Sequence, residues 1–386
     1  MLITHIKLKN WKNFQELDIP LRDVTYILGA NAAGKSNLLD ALRFLRDVSK
    51  PKGGGLESAV ADRGGMSKVR CLHARRHPEV VIEVTLAESP DGPVAWRYKL
   101  AFKSEGRNSQ RPVVSQEEVW KNGDRDPFLT RPNNKDDKDP AQLRQTHLEQ
   151  IQANAKFRDL VDFFESFSYL NLVPQLLKFS EQIGGRQITD DPFGQGFLER
   201  LAKTTEKTRD SRLKKINAAL KMAVPHFEEL RFKPDVMGRP HLEARYAHHR
   251  PNAGWQSEEQ FSDGTLRLLG LLWSMLEGQS LLMLEEPEIS LNDEIVKQIP
   301  LMLQRLLRGR KTSRQVLVST HSDALLSNLG LDGRGVVLLE MTAQGTRGRP
   351  LSATELSTLD TGLTIAEVVL PMTRPAAASQ LGLWEP

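Results

Sequence analysis

Residues 29–36 read Gly-Ala-Asn-Ala-Ala-Gly-Lys-Ser, which meets the phosphate-loop pattern G-x-x-x-x-G-K-S/T at every fixed position. The pattern constrains the fold, because its chemistry needs a strand, a tight turn and a helix in that order. The flanks supply them. Residues 24–28 (VTYIL) are a short apolar run of the buried-strand type. Residues 35–48 carry Leu38, Leu39, Leu42, Leu45 and Val48 at helical spacing. Gly29 and Gly34 open backbone angles closed to other residues, so successive N–H groups can turn inward around phosphate oxygens. The helix N-terminus adds unpaired N–H groups and the positive end of its dipole. Lys35 is expected to reach the β- and γ-phosphates and Ser36 to ligate Mg²⁺, with Asn31 and Asn37 also on the nucleotide. The sequence therefore predicts a site for a nucleoside triphosphate with Mg²⁺.

Composition bounds the rest. The chain has 386 residues, 39% hydrophobic and 26% charged, enough for one large core or two moderate ones. No apolar run approaches membrane-spanning length, and the start MLITHIKLKN lacks a charged segment followed by an apolar one. No membrane partner and a cytoplasmic location are expected. Cys71 is the single cysteine, so no internal disulfide can form. A net charge of +4 allows nucleic-acid binding only if the cations cluster.

Three regions follow from the pattern of breaks: a first lobe over 1–124, a linker and helical insertion over 125–225, and a second lobe over 226–386. The first lobe is β-rich. Alternating residues predict a hairpin through residues 10–13, then the VTYIL strand, then strands over 80–86, 94–102 and 113–120. Residues 124–140 (DRDPFLTRPNNKDDKDP) read as an exposed, mobile linker. Helices are expected over 141–166 and 196–224 and a second hairpin around Gly238. In the second lobe a nearly all-apolar helix over 265–276 precedes a core strand, 280–284. An amphipathic helix over 295–307 and a strand over 316–319 follow. The fold class is α/β, with the ligand at the carboxyl ends of the strands.

That second core strand ends in Glu285, Glu286, Pro287 and Glu288. Adjacent carboxylates at a partly desolvated strand end are unfavourable unless they serve a charge. Glu285 is expected to hold Mg²⁺, and Glu286 to orient and deprotonate the attacking water. The starting LITHIKLKNWKNF, the P-loop, FSDGT at 261–265, LLMLEEPE and STHS at 319–322 together resemble the ABC-type ATPase heads of the RecF, SMC and OLD nuclease superfamily. Standalone ATPases of the AAA-21 and AAA-15 type are the nearest branch. The resemblance implies an ABC-type P-loop ATPase head with a β-rich first lobe, a helical insertion and an α/β second lobe. It also implies that Ser262 and Gly264 contact the γ-phosphate of ATP held by the other protomer of a homodimer or higher oligomer. His321 would be the switch histidine, catalytic with Glu286 and Lys35. Gln175, in YLNLVPQLLK, would link Mg²⁺ to the helical lid; an unremarkable polar loop residue is the alternative. Two positions depart from the family pattern: Glu285 stands where Asp is usual, and Asp263 where glycine is usual.

By that resemblance the chain would be an ATP-driven dimerising switch in anti-phage defence or DNA repair, working with a separate nuclease or effector. The alternative is an ATP-dependent scaffold that docks a protein without binding DNA. A built-in nuclease is disfavoured: the stretch after His321 is too short for a TOPRIM domain, and the D-x-D at Asp137 and Asp139 lies in the linker. The long separation of Ser36 from Ser262 disfavours a transporter subunit. For double-stranded DNA the expected contacts are Arg63, Lys68, Arg70, Arg75 and Arg76. Of two further basic groups, the one over 305–314 reads as helix-end cations that complement the dipole, and the one over 200–215 reads equally well as a solvated helix face or as a nucleic-acid contact.

Overall fold

The computed structural model describes residues 1–74, 79–106, 109–179, 191, 193–248, 254–278, 280–308 and 314–374. Alternating burial builds the first hairpin: β1 (Leu2–Trp11) and β2 (Phe14–Pro20) pair antiparallel with Trp11 opposite Phe14. The apolar run β3 (Val24–Gly29) leaves this sheet for another. Strands β4 (Val80–Ala87), β5 (Val94–Ser104), β6 (Pro112–Lys121) and β7 (Leu129–Arg131) then complete an antiparallel sheet of order β2-β1-β4-β5-β6-β7.

The second sheet has the order β15-β14-β3-β13-β12-β8. Its members besides β3 are β8 (Ser168–Leu170), β12 (Leu282–Glu285), β13 (Val316–Ser319), β14 (Val336–Thr342) and β15 (Gly345–Pro350). All pairs are parallel except β14 with β15. A smaller antiparallel sheet joins β9 (Phe227–Phe232), β10 (Leu242–Tyr246) and β11 (Gln256–Ser257).

The parallel strands are buried on both faces, which is why they read as continuous apolar runs. Their period-2 alternation divides two cores. Ile27, Met283, Leu317, Val337 and Leu339 face the first core, with the antiparallel sheet and the helix Lys35–Ser49. Tyr26, Leu28, Leu282, Leu284, Val318 and Leu338 face the second, with the helix Asp263–Leu276. The P-loop helix lies inside the first core, where Phe44 stacks on Phe102 at 5.2 Å and meets the edge of Trp11 at 5.2 Å.

Residues 129–167 depart from the expectation. Instead of a mobile linker, this segment adds β7 to the sheet and a capped helix, Asn134–Lys138. Arg131 is fully buried between Glu117 (3.2 Å) and Asp136 (2.7 Å) and donates to the carbonyls of Gln142 and Gln145. Glu117 also accepts from the Tyr98 hydroxyl at 3.0 Å and the His147 backbone. A charge-rich stretch reads as solvated because composition cannot reveal that its charges neutralise one another in the interior. The long helix expected over 141–166 is two 3₁₀ turns and a short helix, Arg158–Glu165. The helix expected over 196–224 breaks at Thr204, between Phe197–Lys203 and Glu206–Ala223. The one expected over 295–307 begins anew at Ile299–Arg308, with Pro300 in its first turn.

Arg63 requires a correction. It does not face solvent and cannot serve as a DNA contact. Its side chain is 8% exposed and its guanidinium makes paired bonds of 2.9 Å to Asp40, a third of 2.9 Å to Asp47, and lies over the Phe44 ring. Lys12 meets Asp40 from the first hairpin at 2.6 Å. Lys68 and Arg70 are exposed, and Arg75 and Arg76 lie outside the described residues.

Burial pushes the Asp40 carboxyl up, but the Arg63 and Lys12 charges more than offset that and hold it down to about 2. A lowered carboxylate stabilises the fold above its ordinary value of 3.8. That contribution, about 2 kcal/mol, disappears as pH falls from near 4 toward 2. Urea unfolding measured across this range should therefore show stability falling steeply with acid, and the Asp40→Asn protein should lose that part of the slope. Asp40→Asn should also be destabilised at neutral pH by about 3 kcal/mol, because Arg63 is left buried without its main partner.

Candidate nucleotide-binding site

Three adjacent parallel strands deliver the site. Glu285 pairs with Ser319, and Ser319 with Ile27, so the ends of β12, β13 and β3 are level. Beyond them lie, respectively, the acidic pair, Thr320 with His321, and the P-loop. Backbone bonds tie the exits: Glu286 N–H donates to the Ser319 carbonyl at 2.9 Å and Thr320 N–H to that of Ile27 at 3.2 Å.

The loop itself is closely packed. A side chain on Gly29 would lie 2.8 Å from the Leu339 carbonyl. Gly34 caps the helix with φ +97°, and a side chain there would collide with Asn13 at 2.1 Å. Ala32, at the loop tip, also has positive φ, +64°. Lys35 is buried; its amine donates to the carbonyls of Gly29 (3.0 Å) and Ala30 (3.4 Å) and stands 3.9 Å from Glu286 Oε1. Asn31 and Ser36 are exposed.

Asn13 is a site residue that motif reading passed over. Its amide donates to the Ala33 carbonyl at 3.1 Å and to Thr346 Oγ1 at 2.7 Å, and its oxygen accepts from the Asn37 side chain at 2.8 Å. Asn37, expected on the nucleotide, is thus engaged by the first hairpin. Trp11 Nε1 bonds the Asn37 carbonyl at 2.8 Å. The NWKNF turn therefore splints the P-loop. A conformation-fixing role of this kind carries no local signal beyond two polar residues in a turn.

The carboxylates are sorted by their neighbours. Glu285 accepts from the Ser36 hydroxyl on one oxygen and from the Tyr169 hydroxyl on the other. Arg43 stacks on the Tyr169 ring at 4.3 Å. Glu286 takes φ +43°, a strained value for a residue with a side chain, and its Oε1 lies 3.2 Å from His321 Nδ1. Such strain costs about 1–3 kcal/mol and is concentrated at functional positions. Glu288, the third acid, is buried: Thr320 Oγ1 donates to it at 2.5 Å and His321 N–H at 3.4 Å. Burial pushes its carboxyl upward. It holds the loop of Thr320 and His321, a role that the acidic run alone did not disclose.

Gln175 does not join Ser36 and Glu285 as the expected metal-side residue. Its amide donates to Asp263 at 2.8 Å, and Lys178 bonds the other Asp263 oxygen at 2.7 Å. The place beside Glu285 belongs to Tyr169, on the edge strand β8. The anomalous carboxylate of FSDGT is thereby neutralised, and the Lys178 hydrogen bond holds Asp263 below the usual carboxylate range. Ser262 caps its helix by accepting from Thr265 N–H at 3.1 Å. Gly264 packs on the Ser290 carbonyl, where a side chain would come within 2.6 Å. Close backbone approach alone therefore requires glycine there.

The donor set fits ATP with Mg²⁺. The positive-φ turn at Gly34 opens the cradle, Lys35 supplies a buried cation, and the Ser36 hydroxyl already faces a carboxylate. Among the described residues no group of three or more His, Cys, Asp or Glu side chains could hold a metal unaided. A hydroxyl, one carboxylate and phosphate oxygens are the usual way a protein holds Mg²⁺ with its nucleotide.

Comparison with known proteins agrees. The family model "AAA domain, putative AbiEii toxin, Type IV TA system" matches residues 24–327, well over half the chain. The DNA replication and repair protein RecF of Roseiflexus castenholzii is 40% identical over 55 residues, 14% of each chain. RecF of Lactobacillus johnsonii is 32% identical over 105 residues, 27% of each. The aligned segments thus span about a quarter or less of these relatives. An Smc head bound to the C-winged helix domain of ScpA superposes with a TM-score of 0.54 at 15% identity, covering 92% of this chain and 99% of that one. The Pyrococcus furiosus Smc head, bound to the C-terminal domain of ScpA, gives 0.53 at 13%, covering 94% and 99%. The fold is the ABC-type ATPase head, and the chain belongs to the AAA-domain family whose model it matches.

Proposed function

We propose that the chain binds and hydrolyses ATP as a dimerising switch, in a DNA-related process served by a separate nuclease or effector. The observation that carries this reading is the meeting of Lys35, Ser36, Glu285, Glu286 and His321 at three strand ends. Lys35 exchanges its carbonyl partners for phosphate oxygens when ATP enters. Ser36 and Glu285 would hold Mg²⁺, which would supply positive charge against the phosphates when bound. Glu286 is aimed by its strained backbone and by His321, and it accepts the proton of the attacking water. His321, half-exposed and hydrogen-bonded to that base, reports the γ-phosphate to Thr320 and Glu288 behind it.

In this reading Ser262 and Gly264 complete the site of a second protomer, so ATP favours the closed dimer by its differential affinity for that state. Lys178 keeps Asp263 from opposing closure. The family's association with a toxin–antitoxin system favours defence over repair as the setting. A scaffold that docks a protein partner is the second reading, favoured by the ScpA domains seated on both similar heads.

Glu286→Gln should lower turnover roughly 10²- to 10⁴-fold, as expected for a general base, while ATP affinity is kept. Lys35→Ala should abolish ATP binding in equilibrium titrations. Hydrolysis by Glu286→Gln at the parent rate would refute the assignment of the base. Tyr169→Phe should raise the Mg²⁺ concentration needed for tight nucleotide binding about tenfold, because Glu285 loses one of its two orienting bonds. Nucleotide binding in EDTA should be unchanged, which separates a metal-side defect from a damaged P-loop.

A further inference from the structure

Two basic segments that are nearly a hundred residues apart meet on one surface. The helix Glu206–Ala223 and the C-terminal end of the helix Ile299–Arg308 form the walls of a groove of about 560 Å³. Lys207, Arg212 and Lys215 line it from one side and Arg305 from the other, with the hydroxyls of Thr208 and Ser211 between them. Among the described residues, no carboxylate and no aromatic ring lines it. At about 100° per residue, Lys207, Ser211, Arg212 and Lys215 share one arc of the helix. Glu206 falls opposite it, and Asp210 lies at its edge beside Lys207, 3.6 Å from Arg209. Lys207, Lys215 and Arg305 are exposed and have no ion-pair partner among the described residues. Arg212 is anchored over Trp273 at 5.0 Å, with Glu277 at 3.9 Å.

Helix-end compensation does not account for these cations. The carboxyl end of the helix Asp263–Leu276, which abuts the groove, is already capped by buried Arg314, donating to Met275 at 2.6 Å and Ser274 at 2.9 Å. Arg305 gains from the negative end of its own helix, yet its guanidinium makes no hydrogen bond to any described residue.

We propose that this groove binds the phosphodiester backbone of duplex DNA, without sequence preference. The choice of nucleic acid as the polyanion rests on the DNA-related reading above; the groove itself uses no residue of the nucleotide site. Lys207 to Lys215 span about 12 Å, the rise of three to four phosphates of one strand along the duplex axis. The hydroxyls suit phosphate oxygens. With no aromatic platform, single-stranded bases have nothing to stack on, which favours the duplex. The helix that ends at the groove begins in FSDGT, 14 residues and about 20 Å away. DNA held here therefore leaves the nucleotide face free, and ATP state and DNA occupancy are separable.

The test is fluorescence anisotropy of a labelled random-sequence duplex, titrated at several salt concentrations. With three to four phosphate contacts, affinity should fall roughly 40- to 150-fold between 50 and 200 mM salt. The combined Lys207→Ala, Lys215→Ala and Arg305→Ala protein should flatten the log–log slope by up to about three. Arginine at Lys207 and Lys215 should keep it, and Lys35→Ala should leave it unchanged. Thermal unfolding and ATP binding of the triple variant should match the parent. An unchanged slope in the triple variant, or a single strand bound more tightly than the duplex, would overturn the proposal. So would absence of duplex binding at low salt in a protein that still binds ATP. Loss of ATP binding in the parent would instead remove the nucleotide reading and leave the groove to be judged by its own slope.

Discussion

The parallel pairing of β3 with β13, and of β13 with β12, is the constraint on which the rest of the site depends. Its register levels Ile27, Ser319 and Glu285, so three separate turns open at the same height. A slip of one residue along β12 would exchange Met283 for Leu284 between the two cores and carry Glu285 away from Ser36. Because both faces of this sheet are filled, the register is enforced by packing on either side. The geometry of the candidate site is thus a consequence of core composition as much as of the motifs themselves.

Around that frame, charge is placed by pairing rather than by exposure. The site keeps Glu285 and Glu286 at one strand end by giving each its own partners, Ser36 and Tyr169 for the first, His321 for the second, with Lys35 at 3.9 Å. Behind the P-loop helix, Arg63 neutralises Asp40 and Asp47. Farther out, Arg131 does the same for Glu117 and Asp136. These pairs are internal, so their charges contribute nothing to attracting DNA. The cations of the groove between Glu206–Ala223 and Ile299–Arg308 are among those that the interior leaves to solvent.

The motifs and the elements that carry them were legible in the sequence because they rest on local rules. The P-loop needs its strand and helix, the first hairpin its alternation, and the paired acids their strand end. What was not legible depends on contacts between distant residues. Nothing near Arg63 announces Asp40, and nothing in a run such as RPNNKDD announces that Arg131 and Asp136 are buried. Gln175 fits a motif position, yet the short helix Pro174–Lys178 sets it on Asp263, and a tyrosine on the edge strand stands beside Glu285 instead. The Asn13 splint and the Glu288 brace are likewise tertiary facts. So is the convergence of the two basic segments, each of which reads alone as an ordinary solvated helix.

In the proposed function, one composite ATP site is built from the P-loop of one protomer and the FSDGT segment of its partner. Mixing Lys35→Ala chains with Ser262→Arg chains, each inactive alone, tests this most directly. A mixed dimer then holds one intact composite site and one doubly damaged site. Partial ATP turnover that rises and falls with the mixing ratio is the predicted result. Absence of turnover at every ratio, with mixed dimers demonstrated to form, would contradict the account.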